Sequence, residues 1–123
     1  MADPTEHALI IEIPRSSLPD ADVVSEIVSL EAELAAALND LGAVDGHDLG
    51  LMLGPETGGG LTGASIYIYG QSAEAMFAAI QPVLAANAMS ADSTVRMREG
   101  KPGTEEKRIE MQSRIPPPGV RLQ

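Results

Sequence analysis

Polar and apolar positions alternate most cleanly over residues 65–70, Ser-Ile-Tyr-Ile-Tyr-Gly. Successive side chains of a strand point to opposite faces, so Ile66 and Ile68 share one face and Tyr67 and Tyr69 the other. β-branched and aromatic residues suit such a pleated surface, Gly70 ends it, and Ser72 is placed to cap a following helix. The same alternation predicts a first strand over residues 8–13, with Leu9, Ile11 and Ile13 on one face, Ile10 and Glu12 on the other, and Pro14 as its stop. A second strand is expected over 47–53, setting Leu49, Leu51 and Leu53 against Asp48, Gly50 and Met52. A fourth follows over 92–98, with Val95 and Met97 inward and Arg96 and Arg98 outward, and residues 107–111 could add a short edge strand.

Two segments change period. Val23, Ile27, Leu30, Leu34, Leu38 and Leu41 recur at three- and four-residue steps, the apolar stripe of a helix over 19–41, with Ser17 as cap, Pro19 in the first turn and Gly42 as its left-handed end. Met76, Phe77, Ile80 and Leu84 mark a second helix over 73–87, in which Pro82 removes a backbone donor and predicts a kink or break. The glycine-rich stretch 54–63 reads as a long loop between strands. Residues 1–7 are expected to be flexible and the Pro-rich end, 112–123, to lie extended. The order strand, helix, strand, strand, helix, strand over a single domain, 1–123, predicts an α+β, ferredoxin-like βαββαβ fold. Right-handed crossovers then put both helices on one face of a four-stranded antiparallel sheet, with a possible extra C-terminal edge strand.

Ile66-Tyr67-Ile68-Tyr69-Gly70, followed by Ala73, Met76, Phe77, Ile80, Pro82 and Leu84 and preceded by Gly46-His47-Asp48-Leu49-Gly50, resembles a family of small uncharacterised bacterial proteins. The resemblance covers about a third of the chain. It implies a ferredoxin-like fold and carries no assigned activity, so it transfers no catalytic residue.

Charge narrows the partners. The net charge of -10 is concentrated over residues 16–95, which hold eleven acids and no Lys or Arg; residues 96–123 carry seven bases against four acids. Affinity for phosphate backbones comes from basic side chains that displace counterions, so neither nucleic acid nor an anionic membrane is an expected partner. An acidic body could attract a basic protein, because complementary charge steers encounter, or could simply be a solvated surface that keeps the chain soluble. With no cysteine there is no disulfide framework and no thiolate chemistry. No basic and apolar leader pattern opens the sequence and no run approaches membrane-spanning length, which predicts a cytoplasmic protein.

Three places could carry chemistry. The helix-free sheet face should hold Ile10, Glu12, Met52, Tyr67, Tyr69, Arg96 and Arg98. Tyr and Arg are enriched at protein interfaces, and a bare face would leave Ile10 and Met52 wet, so a homodimer through this face is the leading expectation, with Glu12 pairing with Arg96 or Arg98 as the simpler alternative. The second is the loop with Gly58, Gly59 and Gly60: loop amides cradle phosphate when they open into a helix, but here a strand follows and no Lys comes before Lys101. The third is Asp45, His47 and Asp48. One imidazole with two carboxylates could bind a small ligand beside the glycine loop, yet Asp45-Gly46 is ordinary turn chemistry and neighbouring strand residues point apart, so no metal or cofactor is expected. Ser65 beside His47 across a hairpin is the only nucleophile–base pairing available, and no nucleophile-elbow motif frames it. The expected role is therefore an interaction domain rather than an enzyme, with inhibition of a basic partner, as by an immunity protein, as the alternative.

Overall fold

The computed structural model describes residues 7–19, 21–51, 61–100 and 103–111. The expectations for Met52, for Gly58, Gly59 and Gly60, and for the two chain ends beyond these bounds lie outside the described residues. The fold is α+β: two α-helices and a five-stranded antiparallel open sheet of order β2-β3-β1-β4-β5. The strands are β1 (His7–Pro14), β2 (Gly42–Leu51), β3 (Leu61–Gly70), β4 (Thr94–Arg98) and β5 (Glu106–Glu110); the helices are α1 (Val23–Leu38) and α2 (Ala73–Ala86). The sheet thus has five strands where four and an optional edge were expected, and β1 is its middle strand.

The core forms on one face. Leu9, Ile11 and Ile13 of β1, Ile66 and Ile68 of β3, and Val95 and Met97 of β4 meet Ile27, Leu30, Leu34 and Leu38 of α1 and Met76, Ile80 and Leu84 of α2 in a single apolar cluster. Each fully buried Leu or Ile side chain contributes about 1.5–3 kcal/mol by removal from water. Ser90 and Ser93, the buried polar residues, donate to the carbonyls of Leu84 and Ser90, both at 2.8 Å, and so close the connection from α2 to β4.

Several boundaries differ from the periodicity. Helix α1 begins at Val23, not at residue 19: Asp22 takes the left-handed conformation (φ 58°, ψ 35°), through which a right-handed helix does not run, and Leu18, lying before a proline, is extended (φ -83°, ψ 145°). Ser17 belongs to a short 3-10 turn, and the cap is Asp22 in the left-handed region, with no side-chain capping bond. At its other end α1 stops at Leu38; Asn39, at φ 54°, makes the reversal assigned to Gly42, and Leu41 is exposed. Gly42 instead opens β2 opposite Gly70, where a methyl group would collide with the Met76 sulfur and the Tyr69 carbonyl. Asp45-Gly46 is not a turn but a bulge within β2, the register slipping by one residue between Val44 and Gly46. Helix α2 runs through Pro82 without a break: Pro82 and Ala78, whose carbonyl loses its donor, both lie on the exposed side, where water replaces the bond.

His7, expected in a loose terminus, is the first residue of β1, and its Nδ1 accepts the backbone N–H of buried Ala73 at 3.0 Å. Ser72 Oγ accepts from Ala75 N–H at 3.2 Å, so two of the four free amides at the α2 N-terminus are satisfied by side chains. Replacing His7 with Leu leaves the Ala73 amide without an acceptor and should cost about 1–2 kcal/mol, a fall of several degrees in melting temperature. His7→Asn, whose Oδ1 can take the place of Nδ1, should recover most of that loss in the same thermal melt.

Candidate functional site

With both helices on one side, the opposite sheet face is open, and the register across it follows from the strand pairings. Ile10 of β1 lies between Tyr67 of β3 and Arg96 of β4; Ala8 lies between Tyr69 and Arg98; Glu12 lies between Ser65 and Thr94. Residues directly opposite on neighbouring strands share a face and touch through their side chains. Of the expected face residues, Ile10, Glu12, Tyr67, Tyr69, Arg96 and Arg98 therefore do come together. Their consequence for burial was not foreseen. Ile10 is only 8% exposed and Ala8 is fully buried, because the longer side chains on β3 and β4 lean over the small or aliphatic ones of the middle strand. The face is not an oily patch left in water but a row of half-exposed tyrosines and a row of arginines with an apolar seam between them.

The arginine row is held from both sides. Arg96 Nε lies 3.2 Å from Glu12 Oε2, close enough for charge attraction though not aligned as a hydrogen bond, and Arg96 Nη1 donates to Glu106 of β5 at 3.4 Å. Of the two pairings anticipated for Glu12, the structure thus makes the one with Arg96. These are half-exposed pairs, worth about 0–1 kcal/mol each, so they orient the guanidinium more than they stabilise the fold. Arg98 Nε donates to the Gly100 carbonyl at 2.7 Å.

The tyrosine row is anchored at one end by an acid. Burial, then a hydrogen bond and charge repulsion from Asp48, raise the Tyr67 phenol above its ordinary 10.0; Ser65 and Arg96 pull the other way. Asp48 of β2, directly opposite Ser65, belongs to this face.

Asp45, His47 and Asp48 line one hollow of about 360 Å³ with Tyr67 and Tyr69, but His47 and Asp48 belong to opposite faces of β2. His47 is opposite the core residue Ile66, so it faces the helices, and its Nδ1 lies 3.2 Å from Glu31 Oε1 of α1. Asp48 is on the other face, and Asp45 sits on the bulge. Ser65 shares a face with Asp48 and not with His47, so the sheet separates the nucleophile–base pair considered from the sequence. No group of three or more metal-ligating side chains occurs among the described residues. A hollow of about 430 Å³ lies at one end of the open face, beside Glu12, Asp48, Ser65 and Thr94. Glu31 was missed by sequence reasoning, which counted it only as a surface acid; its partner is 16 residues away and only the α1–β2 packing brings the two together. No helix among the described residues is long and apolar enough to cross a membrane.

Comparison with family models, curated proteins and solved structures finds no match to this chain. The site's own geometry is what any function must be argued from.

Because protonated Tyr67 is the form the fold prefers, it contributes stability that is fully present below pH 10.0 and is lost as pH rises through its raised value. An ultraviolet titration of phenolate formation should place Tyr67, identified by its absence in Tyr67→Phe, above 10.0, and Asp48→Asn should move it back down.

Proposed function

We propose that the chain is an interaction domain, a ferredoxin-like βαββαβ unit with β5 appended, that self-associates through its helix-free sheet face. The strand order β2-β3-β1-β4 supports the topology. The observation that carries the function is the pairing of a half-exposed tyrosine row with an arginine row on either side of the middle strand. A two-fold axis lying between two such faces, parallel to β1, exchanges the positions of β3 and β4. Tyr67 and Tyr69 of one copy would then stand over Arg96 and Arg98 of the other. Such a face is complementary to itself, which a two-fold interface requires. Tyrosine and arginine over one another combine stacking with cation–π attraction, each contact worth about 0.5–2 kcal/mol, and both residue types recur as interface hot spots.

Light scattering on a sizing column should give twice the chain's 12.8 kDa mass. Tyr67→Ser with Tyr69→Ser removes four aromatic side chains from a dimer and, at about 1 kcal/mol for each, should weaken it roughly a thousandfold. A double variant of unchanged mass would end this reading.

A second reading, binding of a basic partner, is favoured by the arrangement of acids on α1, where Glu26 and Glu33 stand exposed within a stretch of 80 residues free of Lys and Arg. Association with a cationic protein should then slow at 0.5 M salt, about three times physiological ionic strength, and with Glu26→Lys and Glu33→Lys together. A complex indifferent to both would count against it.

A further inference from the structure

The two edges of the sheet differ. β5 is five residues long and charged at every position but Ile109, the usual guard against unwanted pairing. β2 is ten residues long and pairs only with β3 among the described residues. Beside its outer side, helix α1 presents Val24 and Val28, each 50% exposed, with Ala32 one turn further on. These positions, four residues apart, form a second apolar stripe displaced from the inward stripe of Ile27, Leu30, Leu34 and Leu38. Between stripe and strand lies a groove of about 360 Å³ with apolar walls from Val28, Ala32 and Val44 and two carboxylates, Glu31 and Asp45.

Glu31 gives Oε1 to His47, while Oε2 is buried and has no hydrogen-bond partner among the described residues. A buried carboxylate oxygen without a donor is costly, and a cation is the group that relieves it. The whole stretch 16–95 contains no Lys or Arg to do so. Aliphatic walls with carboxylates at the rim match a lysine or arginine side chain, whose stem is apolar and whose tip is charged.

We infer that the β2 edge is a docking site for an extended basic segment of another protein. The segment adds as a sixth strand to β2, its main chain pairing with the open edge. Every second side chain then points toward α1, and a lysine or arginine there lays its stem on Val28, Ala32 and Val44 and its cation between Glu31 and Asp45. The inference rests on the basic-partner reading and is independent of self-association through the open face.

The test uses the full chain, isotope-labelled, titrated at about 50 mM salt with a capped heptapeptide of alternating Val and Lys, where electrostatic attraction is little screened. Backbone shifts should concentrate on residues 24–32 and 42–51. Glu31→Gln should weaken binding about tenfold, whereas Glu74→Gln, the same change in charge at an exposed position of α2, should alter it less than twofold. Val28→Lys, at a half-exposed position that the core does not use, should abolish binding, and N-methylation of alternate peptide amides should do the same by removing the strand's hydrogen bonds. Equal effects of Glu31→Gln and Glu74→Gln, with shifts spread over the acidic surface, would overturn the site and leave the basic-partner reading intact. Failure of both this peptide and polylysine to bind would overturn the two together. A doubled mass that Val28→Lys abolishes would overturn it as well, assigning the edge to a second copy.

Discussion

Everything in the molecule is arranged about the burial of one side of β1. Leu9, Ile11 and Ile13 are almost completely removed from water, and β1 is paired along both edges, to β3 and to β4. A strand hydrogen-bonded on both sides can be covered only from above or below, and right-handed crossovers bring both helices to the same side, so the other face carries no helix among the described residues. The helix-free face and its tyrosine and arginine rows follow from that one-sided covering.

The bare face is made tolerable by unequal side-chain length. The middle strand offers Ala8, Ile10 and Glu12, and its neighbours offer Tyr67, Tyr69, Arg96 and Arg98, long enough to lean across. The result is a surface polar in its rim and apolar in its seam, as interfaces are. Arg96, held by Glu12 and Glu106, stands at a defined place, which lowers the entropy cost of using it in a contact.

The charge distribution gains meaning from the same topology. Most of the described acids of residues 16–95 lie on α1, in the turn after it or on β2, with Glu74 on α2 and Asp92 before β4, while the described cations lie on β4 and β5, apart from Arg15. An acidic side facing one whose described charges balance gives the molecule a directional field, which orients an approaching partner before contact.

What the amino-acid pattern alone determined was the set of elements and the inward side of each: alternation settles a strand's two faces, and the i, i+3, i+4 rhythm settles a helix's buried stripe, because both are properties of local backbone geometry. It also named six members of the open face, Ile10, Glu12, Tyr67, Tyr69, Arg96 and Arg98, which the strand register indeed brings together. Boundaries were less legible. Asp45-Gly46 reads as a turn from composition, yet pairing with β3 makes it a bulge; Gly42 reads as a helix end, yet the approach of Met76 explains it. Tertiary structure alone decided that His47 meets Glu31, that His7 holds the start of α2, that Ser65 and His47 are parted by the sheet, and that Ile10 is nearly dry. Each depends on side chains 16 or more residues apart, or on how far a neighbour's side chain reaches, and local propensity carries no information about either.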